Sequence, residues 1–556
     1  MNKNKPTLAI FGIKDRFVTE KTTFVHDHNL CLMQDGKVLQ YLQLERFSRR
    51  KYDNRLYEFL EDLIDSKLLN LPDDYDIVNV NIFVGNTFIS KSGRLRVESN
   101  LQKELKPDLD EAQAWFQYAD WEGKEINAYE CPHELAHIFS CLPFFGEFRE
   151  NSLLVSFDGA SSLCNFSAWH YIDGQMKLLE YHWELGYLSK FFNDNFLSFS
   201  ILKAKPDDHC SVPGKLMGYA SWGNYSERIE KWLKDNGYFK DYWDKEIAIF
   251  QSIKENFGIE ISEFNTHNPF LMDIAATFQH IFEQEFLQKI SELQRKTSAE
   301  YMYYAGGCAL NIVTNTKLIG KLLFKNIFIP PCCNDSGLSL GAAAFLEWKK
   351  GNKIQPHSPY LCNIGLENEN RQNEVSEEVI RQTAEILLHD GIIGVCNGIS
   401  EVGPRALGNR SLLALANSKE LAKKLSMEVK KREWYRPVAP IMLEKVARQV
   451  TVQPYHNLAK YMLLDFHVKP EFQNDLQGVV HANETARIQS VSSETDNPFI
   501  FRLLTYLYDN HGIMALINTS FNAQGEPIVH TAEQAMLSAK RMNLQGLIID
   551  NKLIKM

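Results

Sequence analysis

A cationic cluster between residues 405 and 436 stands out in a chain that is acidic overall. Its members are Arg405, Arg410, Lys430, Arg432 and Arg436. Turn formers beside the first two arginines bend the backbone, so that these side chains can approach a ligand closely. The planar fork of donors on arginine matches phosphate and carboxylate oxygens. A scattered run of charge is usually a solvated face, but Gly, Pro, Trp and Tyr alternate with these cations. The cluster therefore predicts an anion site.

Two histidines four residues apart, His133 and His137, could bind one metal ion. On a helix this spacing places both imidazoles on one face. Taken alone, the pair is equally well explained by packing or surface histidines. Asp158 and Asp335 could complete a set of two nitrogens and two oxygens, although a turn residue and a helix cap are their simpler explanations. Such a set suits Fe²⁺, Mn²⁺ or Zn²⁺ and does not choose between them.

Three further motifs could contribute to chemistry, but each depends on its context. The triplet from His26 to His28 is most simply a polar loop, yet a histidine near its ordinary pKa could remove a proton from a hydroxyl. Gly214-Lys215 and Gly306-Gly307 could surround a phosphate with backbone N–H groups. Neither pair has the spacing of a P-loop.

The composition is that of an ordinary globular protein with material for at least two domains. The chain has 556 residues, of which 44% are hydrophobic and 23% are charged. A formal net charge of −10 gives no general attraction to nucleic acid or to an anionic membrane. Ten cysteines lack the spacing of a disulfide framework or of a zinc site. Without a signal peptide or a membrane-spanning run, we expect a cytoplasmic protein.

A repeated strand pattern predicts that the N-terminal part is internally duplicated. A strand at residues 7–13 is followed by a hairpin on Asp35-Gly36, and a strand at 153–157 is followed by one on Asp173-Gly174. The two copies match in pattern rather than in identity. Two such halves would face each other across a cleft, which is the usual place for a ligand.

The remaining elements predict α/β architecture on both sides of a linker. Units of strand, glycine loop and helix occur between residues 301 and 344. Hydrophobic periodicity is then lost, and a stretch with prolines, asparagines and glutamates follows. We therefore expect one domain at 1–350, a linker at 351–375 and a second α/β domain at 376–556.

The ordered set of motifs is more specific than any single member. It comprises His26-Asp27, residues 45–49, His133 with His137, and residues 157–159, 214–218, 305–311, 334–337, 403–411, 430–440, 485–487 and 518–527. With these motifs, over nearly its whole length, the chain resembles the O-carbamoyltransferases of antibiotic, toxin and nodulation-factor biosynthesis, the NodU/CmcH group.

This resemblance implies both a fold and a reaction. The N-terminal domain should have the duplicated actin-like fold of TsaD-type proteins, and the C-terminal domain should be similar to YrdC. Carbamoyl phosphate and ATP should give a carbamoyl adenylate, whose carbamoyl group passes to a hydroxyl of a small-molecule natural product or a saccharide. The implied cofactors are Mg²⁺ and Fe²⁺ or another divalent transition metal. No nucleic acid or membrane partner is expected, and a homodimer is kept open.

The resemblance also assigns roles residue by residue, and it implies that the two domains divide the reaction. The catalytic side chains are His26, as the base for the acceptor hydroxyl, with Lys430 and Arg405. The residues that contact ATP and carbamoyl phosphate are Arg405, Lys430, Arg436, Arg487, Asn518, Ser520, Asn522, Lys215, Gly306, Gly307 and Asn311. The metal ligands are His133, His137, Asp158 and Asp335. The chain departs from the family pattern at Glu134, at His28-Asn29 and at Gln524.

Three other functions are weighed against this prediction. Carbamoylation of a protein thiol would require acylphosphatase and zinc-finger segments, which the N-terminus lacks. Threonylcarbamoylation of tRNA is disfavoured by the net charge of −10 and the lack of a basic stripe. A non-catalytic actin-like nucleotide-binding regulator would leave the cationic cluster and the metal set without a role. We therefore predict an ATP-dependent carbamoyltransferase.

Overall fold

The structure is a computed structural model, and it describes most of the chain. The described residues are 2–14, 25–99, 109, 115–193, 195–205, 209–240, 245–366 and 374–556. Part of the predicted linker, residues 367–373, lies outside them. No helix in these ranges is both long enough and apolar enough to cross a membrane.

The first half of the N-terminal domain is built on an eight-stranded sheet. Its elements are β1 Thr7–Phe11, β2 Asn29–Gln34, β3 Lys37–Gln43, α1 Leu44–Ser48, α2 Leu56–Asp65, β4 Asp76–Val80, β5 Phe88–Ile89, β6 Leu95–Ser99, β7 Trp115–Trp121 and β8 Lys124–Cys131. The strand order is β3-β2-β1-β4-β8-β7-β6-β5. The pairs β1–β2 and β2–β3 are antiparallel, whereas β1–β4 and β4–β8 are parallel.

The second half repeats this arrangement and adds helices. Its elements are α3 His133–Phe139, α4 Leu142–Phe145, β9 Ser152–Phe157, β10 Phe166–Ile172, β11 Gln175–His182, α5 Gly186–Asn193, α6 Phe196–Ile201, α7 Val212–Ala220, α8 Glu227–Asp235, α9 Glu246–Phe257, α10 Pro269–Thr297, β12 Tyr301–Ala305, α11 Ile312–Gly320, β13 Asn326–Phe328 and α12 Leu338–Lys349. The sheet order is β11-β10-β9-β12-β13, again with two antiparallel pairs followed by two parallel ones. The predicted duplication and actin-like fold are confirmed.

The two predicted hairpins form because their turn residues adopt the left-handed conformation. Asp35 and Gly36 have φ of 51° and 73°, and Asp173 and Gly174 have φ of 55° and 69°. Positive φ at both central residues is the geometry of tight two-residue hairpin turns, for which Asp-Gly is well suited. The two halves therefore share their turn chemistry as well as their strand order.

The C-terminal domain is α/β with a mixed seven-stranded sheet. Its elements are β14 Tyr360–Cys362, α13 Glu377–Leu388, β15 Ile393–Cys396, β16 Ser400–Glu401, β17 Arg410–Leu415, α14 Lys419–Lys423, β18 Ala439–Leu443, α15 Glu444–Val450, β19 Phe466–His467, β20 Thr485–Ala486, β21 Gln489–Val491, α16 Pro498–His511, β22 Leu516–Ser520, α17 Ala532–Arg541, β23 Gly546–Ile549 and β24 Lys552–Lys555. The sheet order is β21-β18-β22-β17-β15-β23-β24. Short 3₁₀ helices occur at Gly237–Phe239, Gly307–Leu310, Asp335–Gly337, Asn457–Tyr461 and Pro470–Phe472, and a π-helix at Lys424–Val429.

The described part of the predicted linker is packed rather than free. Ile354, Cys362 and Ile364 are buried, and β14 pairs with β16. Asn363 Oδ1 accepts the backbone N–H of Tyr41 at 3.0 Å. Loss of hydrophobic periodicity therefore marks an irregular segment that lies against the N-terminal domain. The domain boundaries given above stay a prediction.

Two arginines of the N-terminal domain, one buried and one half-buried, connect the two domains. The Arg46 guanidinium is fully buried and donates to the backbone oxygen of Gly403 at 2.9 Å. Arg49 donates to the backbone oxygens of Ile528 at 2.7 Å and Pro527 at 2.9 Å. Carbonyl oxygens of the other domain thus accept hydrogen bonds from both guanidinium groups, as the burial of Arg46 in particular requires. The glycine turn that begins the cationic cluster is fixed by this contact.

Candidate active site

One cavity of about 1530 Å³ is lined by both halves of the N-terminal domain and by the C-terminal domain. Many of the residues singled out in the sequence meet in it. They are His26, Asp158, Lys215, Gly307, Asn311, Asp335, Arg405, Lys430, Arg436, Arg487, Asn518, Ser520 and Asn522. Gly306 and the two histidines of α3 lie behind this lining. The sequence motifs therefore converge on one place, although they are far apart along the chain.

The four predicted metal ligands form a compact cluster. The Nε2 atoms of His133 and His137 are 3.0 Å apart. Asp158 Oδ2 lies 3.7 and 3.8 Å from them, and Asp335 Oδ1 lies 3.5 and 3.6 Å from them. Metal–ligand bonds of about 2.0–2.2 Å place neighbouring ligand atoms about 3–3.6 Å apart. The cluster therefore fits one transition-metal ion, with one ligand atom from each residue.

The electrostatics of this cluster favour a cation. Burial alone would lower the pKa of His133, but the charges of Asp335 and Asp158 raise it to about 10. Burial alone would raise the pKa of Asp158, but hydrogen bonds and charges of the two histidines hold it well below its usual range. The two carboxylates thus stabilise positive charge between the ligand atoms, whether a proton or a metal ion supplies it.

Secondary structure explains how these ligands come together. Helix α3 begins at His133, so one of its faces presents both imidazoles. Asp158 follows the last residue of β9, and Asp335 begins a short 3₁₀ helix. Strand β9 lies beside β12, whose C-terminal end leads into Gly306-Gly307. The ligands therefore come from three separate segments that the fold brings together.

The glycine pair after β12 positions Asp158. Gly307 N–H donates to Asp158 Oδ1 at 2.6 Å, and Gly306 N–H donates to the backbone oxygen of Cys333 at 2.7 Å. Gly306 has φ of 101°, and a Cβ there would lie 2.1 Å from the backbone oxygen of Phe157. Only glycine fits this position. Because both N–H groups are committed to protein acceptors, phosphate contacts at this pair stay a prediction.

Two departures from the family pattern support the metal cluster from behind. Asn29 is buried, and its Nδ2 donates to the backbone oxygens of Asp27 at 2.6 Å and Asp335 at 2.9 Å. Glu134 Oε1 accepts the backbone N–H of Leu163 at 2.7 Å, in the loop after β9. These residues therefore hold the loops that carry His26, Asp158 and Asp335.

The candidate base His26 lines the cavity beside the metal cluster. Its Nδ1 is 3.1 Å from Asp27 Oδ2 and 3.9 Å from Asp335 Oδ2, and its side chain is 25% exposed. Burial alone would lower the pKa of His26, but Cys210 and Asp335 raise it well above its ordinary value. Burial likewise would raise the pKa of the Cys210 thiol, but His26 and His209 lower it to about 7. Sequence analysis missed Cys210 because no motif marks it.

Four members of the cationic cluster, together with Arg487, form a cationic wall on the side of the cavity that the C-terminal domain lines; the four are Arg405, Lys430, Arg432 and Arg436. Lys430 Nζ donates to Ser520 O at 2.5 Å and to Asn522 O and Oδ1 at 2.6 Å each. Arg432 Nη2 donates to Ser520 Oγ at 3.4 Å. Burial, followed by neighbouring cations, lowers the pKa of Arg432 to about 9 and those of Lys430 and Arg487 well below their ordinary values. Mutual repulsion of this kind is relieved by a bound anion.

One member of the predicted anion site is placed elsewhere. The Arg410 guanidinium is buried and donates to the backbone oxygens of His530, Asn397 and Gly398 at 2.8–3.0 Å. Arg410 is the first residue of β17 and is not among the residues lining the cavity. Its inclusion in the anion site is therefore wrong. The spacing could not reveal that carbonyl groups of the C-terminal domain use its donors.

The other predicted contacts line the cavity around this wall. Asn518 Nδ2 donates to the backbone oxygen of Ala406 at 3.1 Å, and Asn518 Oδ1 has no hydrogen-bond partner among the described residues. Lys215 Nζ pairs with Glu433 Oε1 at 2.9 Å, which connects α7 to the loop that carries Arg432 and Arg436. Asn311 exchanges hydrogen bonds with Gln279 at 3.0 and 3.1 Å. Gln524, the third departure, also lines the cavity.

Two family models match this chain. Residues 115–344 match the model for the carbamoyltransferase N-terminus, and residues 384–556 match that for the carbamoyltransferase C-terminus. Together these matches cover most of the chain. It belongs to the NodU/CmcH family of carbamoyltransferases. As a carbamoyltransferase, it is a transferase enzyme.

Two named relatives are about equally distant from this carbamoyltransferase. The 3'-hydroxymethylcephem-O-carbamoyltransferase of Streptomyces clavuligerus is 25% identical over 94% of this chain and 96% of that protein. The nodulation protein NolNO of Sinorhizobium fredii is 25% identical over 96% of this chain and 79% of that protein. Among solved structures, full-length HypF in its phosphate- and nucleotide-bound form is 14% identical over 62% of this chain and 56% of that chain, with a TM-score of 0.33. The fold assignment rests on the strand order described above.

Proposed function

We propose that this carbamoyltransferase uses ATP and carbamoyl phosphate to carbamoylate a hydroxyl group of a small-molecule natural product or a saccharide. One observation carries the proposal: a single cavity is lined by Arg405, Lys430, Arg432 and Arg436 of the cationic cluster and by Asp158 and Asp335 of the His/Asp cluster. The first suits polyphosphate, and the second suits a metal ion beside a histidine base. Neither a nucleic acid nor a membrane takes part in this reaction.

The cationic wall is proposed to form the carbamoyl adenylate. A carbamate oxygen attacks the α-phosphorus of ATP, and pyrophosphate leaves. Negative charge develops on the phosphate oxygens during this step, and fixed cationic donors neutralise it. Arg405, Arg436 and Arg487 are assigned to the phosphates, and Lys430 is held at the wall by Ser520 and Asn522. Mg²⁺ accompanies ATP.

The cluster of His133, His137, Asp158 and Asp335 is proposed to hold one divalent transition metal, for which Fe²⁺ is our candidate. Its mixed nitrogen and oxygen donors fit such an ion. When bound, the ion supplies a Lewis acid for phosphate oxygens of the adenylate.

His26 is proposed to complete the transfer. As the acceptor hydroxyl attacks the carbamoyl carbon, His26 takes its proton. A new carbon–oxygen bond forms, and the bond between the carbamoyl carbon and the oxygen of AMP breaks. This role suits a histidine that lines the cavity and whose Nδ1 is held by Asp27 at 3.1 Å. The role requires the neutral ring, and a cation in the His/Asp cluster would favour that form, because it would offset the charge of Asp335 that raises the pKa of His26. From the sequence we expected the two domains to divide the reaction between two separate sites. We now propose that both steps take place in one cavity, at its cationic wall and at His26.

The test is pyrophosphate release from purified protein with ATP and carbamoyl phosphate. We expect release that depends on both substrates, and a carbamoylated product when a hydroxyl-bearing acceptor is added. An actin-like regulator would hydrolyse or bind ATP without releasing pyrophosphate. Absence of pyrophosphate in the presence of Mg²⁺ and Fe²⁺ would overturn the proposal.

A further inference from the structure

A second group of titratable side chains lines the cavity on the side of the C-terminal domain, and only its arginine has a role in the proposed function. It consists of Asp465, His481 and Arg487. Asp465 directly precedes β19, whereas His481 and Arg487 flank β20. Strands β19 and β20 pair antiparallel, which brings these residues together. The side chains of Asp465 and His481 are only 5% and 8% exposed.

The hydrogen bonds around Thr485 favour one tautomer of His481. Thr485 Oγ1 donates to Asn483 Oδ1 at 2.8 Å and lies 3.2 Å from His481 Nδ1. Since the hydroxyl proton of Thr485 is used, its oxygen accepts the proton on His481 Nδ1. The other ring nitrogen, Nε2, is then an acceptor. Asp465 Oδ1 lies 3.8 Å from His481 Nδ1.

Three polar atoms of this group lack a partner among the described residues. They are Asp465 Oδ1, His481 Nε2 and Arg487 Nε, and all three are buried. Leaving such atoms without hydrogen bonds is costly, so an unsatisfied group in a cavity points to a ligand or to water. Two acceptors beside a guanidinium suit a water molecule next to an anion.

The proposed reaction requires a water molecule at this stage. In carbamoyl phosphate, the oxygen that must attack the α-phosphorus of ATP is already bonded to phosphorus. That bond must break before an adenylate can form. Water supplies the missing oxygen to phosphate, and carbamate is released with both of its oxygens. None of the residues assigned above removes a proton from this water.

We propose that Asp465 is the general base that activates water to hydrolyse carbamoyl phosphate, and that His481 and Arg487 hold the water and the phosphate. This inference rests on the proposed function. The water oxygen bonds to phosphorus, the bond between phosphorus and the carbamoyl oxygen breaks, and carbamate leaves. Asp465 takes one proton of the water and later passes it to solvent, so that carbamate and inorganic phosphate are the products.

The environment of Asp465 agrees with this role. Burial raises the pKa of Asp465 to about 7, although the charge of Arg487 favours the ionised form. Glu283 of α10 also faces it and raises the pKa, while Glu283 itself pairs with Lys317 of α11. A pKa near the working pH is well suited to general-base catalysis. Burial and Arg487 lower the pKa of His481 to about 3, so its ring is neutral.

The first test is phosphate release from carbamoyl phosphate by Asp465→Asn, after subtraction of the release without protein. We expect a rate about 10²–10⁴-fold lower, the usual contribution of one general base. His481→Asn should also be slower. Asp475→Asn and His467→Ala, at exposed positions nearby, are matched controls that should keep the wild-type rate. The wild-type rate should rise with pH and level off above about 7, because the base must lose its proton, as the pKa of Asp465 predicts.

The second test bypasses hydrolysis with ammonium carbamate and ATP. We expect Asp465→Asn to release pyrophosphate from these substrates at the wild-type rate, which also shows that the variant is folded. Unchanged phosphate release from carbamoyl phosphate would overturn the inference, and so would equal losses with both substrates. If wild-type protein releases no pyrophosphate from either substrate, the proposed function fails instead.

Discussion

At the residue scale, Lys430 has the most closely defined surroundings in the cationic wall. Its Nζ contacts oxygens of Ser520 and Asn522, at the end of β22 and in the loop that follows it. Burial and neighbouring cations lower its pKa well below the ordinary value, so the site is tuned for an anion that restores the balance of charge.

We predict that Lys430→Ala lowers pyrophosphate release by about 10²-fold or more, the cost of deleting one transition-state donor. Carbamoyl adenylate supplied to this variant should still give product, because transfer does not use Lys430. Lys424→Ala, at an exposed position on the preceding π-helix, is the control. Normal pyrophosphate release by Lys430→Ala would remove this residue from the adenylation step.

The metal cluster makes a second prediction at this scale. Purified protein should contain about one transition-metal ion, as expected for one site of mixed nitrogen and oxygen donors. His137→Ala should lose most of it, because the two Nε2 atoms of α3 act together. Elemental analysis measures the content, with His389→Ala at an exposed position as control. Unchanged metal content in His137→Ala would show that the cluster is not the site.

At the element scale, the junction between β12 and the 3₁₀ helix that follows it positions Asp158, because Gly307 N–H donates to the carboxylate. The two glycines of this junction are not metal ligands themselves. We predict that Gly306→Ala lowers the free energy of unfolding by about 1–3 kcal/mol through backbone strain, and that it lowers metal content as well. A Cβ at this position would lie 2.1 Å from the backbone oxygen of Phe157 and would displace the end of β9. Chemical denaturation and elemental analysis measure the two effects.

Gly320→Ala is the matched control for this prediction. A Cβ at Gly320, in α11, meets nothing within 4 Å. Because alanine is favoured over glycine in helices, we expect a change in unfolding free energy of at most about 1 kcal/mol. Equal effects of the two substitutions would contradict the assigned role of Gly306.

At the scale of the whole molecule, we predict from the single cavity that the adenylate of the proposed reaction stays in the protein between the two steps. His26→Ala should make the intermediate but transfer it about 10²–10⁴-fold more slowly, the usual range for one general base. Lys430→Ala should transfer but not make it. We predict that a mixture of the two variants forms little product, since the intermediate made by one remains in its own cavity.

Product formation by this mixture is measured with ATP, carbamoyl phosphate and an acceptor. The control is addition of carbamoyl adenylate, which should restore product with Lys430→Ala and not with His26→Ala. If the mixture approaches the wild-type rate, the adenylate is released into solution. The two steps would then take place at separate sites, as we first expected from the sequence.

The sequence by itself determined the duplicated N-terminal fold, the family and most of the candidate site residues. The hairpins on Asp35-Gly36 and Asp173-Gly174 are local consequences of residue type, because Asp-Gly readily adopts the positive φ that such turns need. Residue type and a spacing of four residues likewise mark His133 and His137 as a candidate pair of ligands, since helical geometry alone puts them on one face.

Only the tertiary structure decided which of these residues share one cavity. Arg410 belongs to the same sequence motif as Arg405, but its guanidinium donates to buried carbonyl groups. Arg487, by contrast, lines the cavity beside the cationic cluster although it is distant in sequence. Asp465 and His481 carry no sequence signal, because their role depends on the pairing of β19 with β20 and on burial. Burial, shared hydrogen bonds and charge proximity are properties of the folded arrangement, and they determine which polar side chains remain available to a ligand.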